Sequence, residues 1–109
     1  MYNQGQGVPQ NFKEAMVWYR KAADQGNADA QFNLGVMYNQ GQGVPQNFKE
    51  ALVWYRKAAD QGHAGAQFML GLMYEEGQCV PKSAARALSW YRKAASQGFK
   101  GALKRVAEL

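Results

Sequence analysis

The sequence predicts an all-α fold, a solenoid of stacked helical hairpins that forms one domain. The first observation is a fixed period, because Trp18, Trp54 and Trp90 recur at an interval of 36 residues (54 − 18 and 90 − 54). A period between about 20 and 50 residues is typical of stacked-repeat architectures. The second observation is that each period holds two stretches with apolar residues at helical spacing, separated by a loop that contains glycine and proline. Such spacing indicates two amphipathic helices per repeat.

The first helix of a repeat is predicted from about Ala28 to Asn39. Its buried face has the spacing i, i+4, i+7, i+8 and consists of Ala30, Leu34, Met37 and Tyr38. The segment 41–45 then ends the helix, because its glycines free the backbone while its proline lacks an N–H donor and has a fixed φ.

The second helix of a repeat is predicted to begin near Asn47, which is a good N-cap, and to run through Ala59. Glu50 stands three residues after Asn47, in the position of a capping box. The buried face consists of Ala51, Tyr55, Ala58 and Ala59. Gly62 follows where the residue after a helix adopts a positive φ. A hairpin of this size cannot bury its own apolar face, so neighbouring hairpins must stack.

These residues also carry a resemblance to a known family. The pattern A-x-A-Q-x-x-L-G-x-M-Y, then G-x-G-V-P, then A-x-x-W-Y-R-K-A-A-x-Q-G resembles the Sel1-like repeat over nearly the whole chain. The related tetratricopeptide repeat has a period of about 34 residues and lacks this loop. The resemblance implies a right-handed α-α superhelix of paired helices that acts as an adaptor in protein complexes. Secreted members of the family carry a cysteine pair in each repeat, which this chain lacks.

The period divides the chain into four parts. Residues 1–26 are predicted to form a partial repeat that lacks its first helix, residues 27–62 and 63–98 to form full repeats, and residues 99–109 to form a terminal capping helix. In the third unit, Cys79 replaces the loop glycine, and Ser83 takes the N-cap position without a following glutamate at position 86.

Composition restricts the class of protein only loosely. The chain has 109 residues with 3 Trp, 6 Tyr and 5 Phe, which is typical of a folded domain rather than a disordered one. A lone Cys79 cannot form an internal disulfide, which fits a reducing compartment without requiring one. The sequence contains neither a signal peptide nor a transmembrane segment. The location is therefore left unknown: cytoplasmic or, if an upstream signal has been removed, periplasmic or secreted.

No catalytic, cofactor-binding or metal-binding residue is predicted, and the chain is not expected to be an enzyme. His63 is the only histidine and stands at a helix start, where a polar capping role is sufficient. A metal site needs several ligands, and no second histidine or cysteine accompanies His63 and Cys79. The loop segments 5–7 and 41–43 contain G-x-G, but they lack the strand and the lysine of a nucleotide-binding loop.

Two repeated features have a structural and a functional interpretation. The pairs Arg20-Lys21, Arg56-Lys57 and Arg92-Lys93 lie in the last turns of second helices, where cations offset the helix dipole. Together they also form a basic stripe that leaves open binding to an anionic surface or to nucleic acid. The aromatic residues at the W-Y positions are predicted to pack as scaffold against Gly35 and Gly71 rather than to stack on a ligand.

A candidate partner surface follows from the positions that vary between nearly identical repeats. At about 100° per residue, positions 29, 33 and 36 share one face of the first helix. The predicted partner-binding residues on this face and its equivalents are Asp29, Asn33, Val36, Gly65, Met69, Leu72, Gly101, Arg105 and Glu108. The alternative is that this face is only solvated. The incomplete terminal repeats also suggest head-to-tail association between copies.

The function predicted from these observations is a non-catalytic scaffold that binds a partner protein or peptide through the concave face of the solenoid. An alternative, from a different class, is a hydrolase or small-ligand binder related to the cell wall. A weaker alternative is anionic-surface or nucleic-acid binding through the basic stripe.

Overall fold

The computed structural model describes residues 12–108, and this part of the chain consists of α-helices joined by short loops. The helices are α1 (Phe12–Asp24), α2 (Ala28–Gln40), α3 (Phe48–Asp60), α4 (Ala64–Glu76), α5 (Ala84–Ala95) and α6 (Lys100–Glu108). Each helix packs against the next one in the chain. The prediction of an all-α solenoid of helical hairpins is confirmed. The first G-x-G loop at residues 5–7 lies outside the described residues.

The helix boundaries follow from local capping. Asn27 precedes α2 and accepts a hydrogen bond at its Oδ1 from the backbone N–H of Ala30 at 2.9 Å. At the other end, Gly41 adopts φ 70°, and its N–H donates to the carbonyl of Met37. A residue with a side chain is disfavoured in this left-handed conformation, so glycine fixes the end of the helix.

The capping box predicted for α3 forms only in part. The Oδ1 of Asn47 accepts from the N–H of Glu50 at 3.1 Å, as expected. The N–H of Asn47, however, donates to the carbonyl of Tyr38 at 2.9 Å instead of to the Glu50 side chain. Ser83 repeats both bonds, to Arg86 and Tyr74. The third repeat therefore keeps its cap without a glutamate at position 86.

In the interior of each hairpin, a tyrosine ring of the second helix packs on a glycine of the first helix. Tyr55 of α3 and Tyr91 of α5 are almost completely buried, and their rings cover Gly35 of α2 and Gly71 of α4. The predicted aromatic packing against these glycines is thus made by the tyrosines. The neighbouring tryptophans occupy a different interface, between successive second helices.

Glutamine side chains join each first helix to the preceding repeat and to the end of its own repeat. Gln31 is buried in α2, donates its Nε2–H to the carbonyl of Ala23 at 3.1 Å, and accepts from Gln61 at 2.7 Å. Gln67 and Gln97 repeat the pair at 3.1 Å in the next repeat. Because a buried amide without partners costs free energy, these bonds fix the register between repeats.

Candidate partner-binding face

The nine predicted partner-binding residues lie on one face of each of α2, α4 and α6. We call this set the α2–α4–α6 wall, and it comprises Asp29, Asn33, Val36, Gly65, Met69, Leu72, Gly101, Arg105 and Glu108. On a helix, residues spaced i, i+4 and i+7 point within about 60° of one another, which accounts for this grouping.

At the α2 end, the wall contains an exposed carboxylate and a shallow cavity. The carboxylate of Asp29 is 86% exposed and accepts from Nε2 of His63 at 3.0 Å. Asn33 and Val36 line a cavity of about 220 Å³, together with Phe12 and Tyr19. The varying positions of α2 therefore border open space.

In the centre of the wall, the apolar side chains are half-buried. Met69 packs against the core cluster that contains Tyr55, and Leu72 packs against the cluster that contains Tyr91. Gly65 of the same helix lies beside the ring of Phe32. These side chains expose apolar surface and also contribute to the core, so substitutions here affect stability as well as any contact with a partner.

At the α6 end, Gly101, Arg105 and Glu108 line a cavity of about 450 Å³ with Phe68 and Lys104. The guanidinium of Arg105 is not free, because its Nη1 donates to Oε2 of Glu75 at 3.2 Å.

The carboxylate of Glu75 also accepts from the buried hydroxyl of Tyr91, at 2.5 Å. This network links α4, α5 and α6. Burial, and then the hydrogen bond to Glu75, raises the pKa of Tyr91 above its ordinary value. Comparison of the repeats assigned Arg105 to the surface but missed its ion pair with Glu75. Glu75 replaces the asparagine that the preceding repeat has at the equivalent position, Asn39.

The equivalent hydroxyl in the second repeat, that of Tyr55, lacks such a hydrogen bond. Tyr55 is buried, its Oη has no hydrogen-bond partner, and Asn39 lies near it without good bonding geometry. Burial raises the pKa of Tyr55 to about 12, and the Asn39 side chain opposes that shift.

The two tyrosines should therefore respond in opposite ways to loss of the hydroxyl. We expect Tyr91→Phe to lower the free energy of unfolding by about 1.5–3 kcal/mol, because it removes a bond to a charged group. Tyr55→Phe should be neutral or stabilising, because it removes an unsatisfied buried polar atom. Urea denaturation of both variants measures the difference. An equal loss in both would show that Tyr55 has a bonding partner after all.

His63 is the N-cap residue of α4, which agrees with its predicted place at a helix start. Its Nδ1 accepts from the N–H of Ala66 at 3.1 Å, and its ring stacks on Phe32 with centroids 4.6 Å apart. Its Nε2 donates to Asp29. Both ring nitrogens are therefore occupied, since Nδ1 caps α4 while Nε2 and the ring face contact α2.

The basic pairs have a further role that the sequence analysis missed. Trp54 lies between Arg20 of the preceding second helix, at 5.4 Å, and Lys57 of its own helix, at 4.7 Å. Trp90 repeats the arrangement with Arg56 at 5.7 Å and Lys93 at 4.5 Å. Cation–π contacts thus join successive second helices. The 36-residue recurrence of Arg two positions after Trp is the signal from which this could have been found.

The one cysteine lies in a loop and has an unusual backbone conformation. Cys79 is exposed and adopts φ 63°, in the loop position where Gly43 has φ 78°. Within residues 12–108, no group of three or more His, Cys, Asp or Glu side chains is arranged to hold a metal ion. None of the helices described here has the length and apolarity that crossing a membrane requires.

Comparisons with known proteins agree on one repeat family. The pattern of the Sel1 repeat family matches residues 1–27, 28–63 and 64–99. The Sel1 repeat protein from Oxalobacter formigenes is 42% identical with a TM-score of 0.90, over 97% of this chain. A protective antigen of uropathogenic Escherichia coli strains, which displays an SLR fold, is 39% identical with a TM-score of 0.91, over 100% of this chain.

This chain is much shorter than both of these proteins, since it spans 43% and 23% of their lengths. The cysteine rich protein B of Helicobacter pylori shares the fold, with a TM-score of 0.82 at 23% identity, over 86% of this chain and 71% of that protein. No curated protein matches the sequence.

Proposed function

This chain belongs to the Sel1 repeat family, and we propose from that premise that it is a non-catalytic adaptor that binds a partner protein or peptide along the α2–α4–α6 wall. Sel1 repeats are typically scaffolds for protein–protein interaction. The observation that carries the choice of face is the half-buried apolar pair Met69 and Leu72, with the exposed carboxylates of Asp29 and Glu108 on the same wall. An apolar centre with a polar rim is the usual composition of a protein interface.

The proposed mechanism is rigid presentation. The core tyrosines and the hydrogen-bonded glutamine side chains hold α2, α4 and α6 at fixed spacing, so the wall is formed before the partner arrives. A preformed surface avoids the entropic cost of ordering side chains on binding. The concave side of the solenoid is the side that we assign to this wall.

A scaffold role agrees better with the chemistry of the two reactive side chains than a hydrolase role does. His63 uses both ring nitrogens in helix contacts, and Cys79 lies in the loop before α5. The alternative of a cell-wall hydrolase predicts turnover of peptidoglycan fragments, and a release assay on such fragments tests it. The alternative of nucleic-acid binding is disfavoured because Arg20 and Arg56 lie on tryptophan rings.

The proposed partner is a different protein rather than a second copy. Head-to-tail stacking would pack α1 of one copy on α6 of another in the way that α3 packs on α2. Tyr19 of the first copy would then lie on position 107 of the second, just as Tyr55 lies on Gly35. Position 107 is alanine, and a Cβ at the Gly35 position would come within 2.6 Å of the tyrosine ring. Leu103 likewise occupies the position at which the earlier repeats have Gln31 and Gln67. We therefore assign residues 99–109 a capping role in the proposal.

The test replaces a wall residue with the residue found at the equivalent position of another repeat. We expect Met69→Asn, which copies Asn33, to abolish retention of the partner when the purified protein is used as bait in a lysate of its source organism. The physical reason is that the apolar centre of the wall is lost. Quantitative mass spectrometry of the retained proteins, at a temperature well below each variant's Tm, is the measurement.

The matched control is Val53→Ser, which removes an exposed apolar side chain from α3, away from the wall. The partner should be retained by this variant as by the unsubstituted protein. Retention by Met69→Asn equal to that of Val53→Ser would mean that the wall is not the binding face.

A further inference from the structure

The charges of this protein are divided between the two kinds of helix. The second helices α1, α3 and α5 together carry nine Lys or Arg and four Asp or Glu, which equals the net charge of +5 of the whole chain. The first helices α2 and α4 contain Asp29, Glu75 and Glu76 and no Lys or Arg, whereas α6 contains three Lys or Arg and one Glu. The basic charge therefore lies outside the helices that form most of the wall.

Each of the three wall helices contributes one exposed carboxylate to the same face. Glu76 is spaced i+4 from Leu72 and i+11 from Gly65, so it points within about 40° of both. It is exposed, as are Asp29 and Glu108. The wall thus has an apolar centre with a carboxylate on either side of it.

Among residues 12–108, no Lys or Arg forms an ion pair with Asp29 or Glu76. Arg105 is the only cation among the wall residues, and Glu75 neutralises it in an ion pair at 3.2 Å. Lys104 is exposed at the far edge, on α6 beside Arg105. Excess negative charge therefore remains around Asp29 and Glu76, next to the apolar side chains.

From this arrangement we infer that the wall takes a basic, apolar, extended segment of a partner protein. Apolar side chains of the segment lie over Val36, Met69 and Leu72, and its Lys or Arg side chains face Asp29 and Glu76. The inference rests on the proposed function and adds the chemistry of the partner. Like charges across an interface exclude wrong partners, so an acidic segment of the same shape is rejected.

The width of the wall sets the length of the segment. Packed helices lie about 8–10 Å apart, so α2, α4 and α6 together span about 20 Å. An extended chain covers about 3.3 Å per residue, and about six residues therefore cross the wall. A probe of about ten residues is long enough to reach both carboxylates.

The test uses two fluorescein-labelled peptides of about ten residues, one made of Leu, Lys and Ser and the other with Glu in place of every Lys. Fluorescence anisotropy at low salt measures the Kd of each for the full chain. We expect the basic peptide to bind and the acidic one not to bind. Glu76→Lys should weaken the basic peptide about five- to tenfold, the range expected for reversal of one exposed charge contact.

Asp60→Lys is the matched control, since it reverses an exposed charge on α3, away from the wall. It should leave the Kd nearly unchanged. Equal effects of Glu76→Lys and Asp60→Lys would overturn the inference, because the attraction would then depend only on net charge.

Two other outcomes separate this inference from the proposed function. Binding of the acidic peptide that is lost in Met69→Asn would overturn the basic partner and leave the wall as the binding face. Binding of neither peptide would overturn the inference, and the lysate experiment would decide the proposed function independently.

Discussion

Replacing Trp54 with alanine is expected to lower the free energy of unfolding by about 3–5 kcal/mol. Trp54 is 5% exposed and belongs to the core cluster that includes Leu34 and Met37, so the substitution leaves a cavity and removes buried apolar surface. It also removes the ring on which Arg20 and Lys57 lie. Thermal and urea denaturation followed by circular dichroism measure the loss.

Trp18 provides the matched control at the same position of the preceding repeat. It is 69% exposed, because no described helix packs on α1 from the preceding side. Trp18→Ala should therefore change stability by less than about 0.5 kcal/mol, as surface substitutions usually do. Similar losses at both positions would mean that Trp18 is covered in solution, which the described contacts do not provide.

The repeat architecture could be predicted from the sequence because period, cap and breaker residues all agree. Asn47 and Gly62 stand at the ends of α3 where capping chemistry requires them, and Ser83 replaces Asn47 at the third repeat without loss of function as a cap. Such local signals depend only on nearby residues, so one sequence is sufficient to recognise them.

The contacts between residues distant in sequence could be predicted less well, since they join positions about 30 residues apart. Gln31 and Gln61 each look like ordinary surface glutamines, and only the fold brings their amides within 2.7 Å. The same holds for the ion pair of Glu75 with Arg105. Both members of that pair depart from the repeat pattern together, and this shared departure is the only trace in the sequence.

The partner-binding face remains a prediction for a related reason. Variation between repeats selected the wall, but variation marks a solvated face and a recognition face alike. The half-burial of Met69 and Leu72 against two core clusters adds a constraint that the sequence did not contain. The effect of a wall substitution on binding must therefore be compared with its effect on the free energy of unfolding. Substitutions that copy the residue at the equivalent position of another repeat keep the loss of stability small.

Substituting Gly71 with alanine is expected to destabilise the protein by about 1–3 kcal/mol, although alanine favours a helix by about 1 kcal/mol over glycine. A Cβ on Gly71 would overlap the ring of Tyr91, which is completely buried and has no space to move into. Gly35 shows the same relation, with a Cβ 2.6 Å from Cδ1 and Cε1 of Tyr55. Urea denaturation measures the loss.

Gly65 tests whether this loss comes from the tyrosine rather than from glycine in a helix. It lies in the same helix, but a Cβ there would approach the His63 ring no closer than 3.1 Å. Gly65→Ala should therefore change stability by less than about 1 kcal/mol. In a Tyr91→Ala background, Gly71→Ala should cost nothing further and should recover the helix preference of alanine. A loss that persists in that background would place the clash on another neighbour, and the close approach of α5 to α4 would then have a different cause.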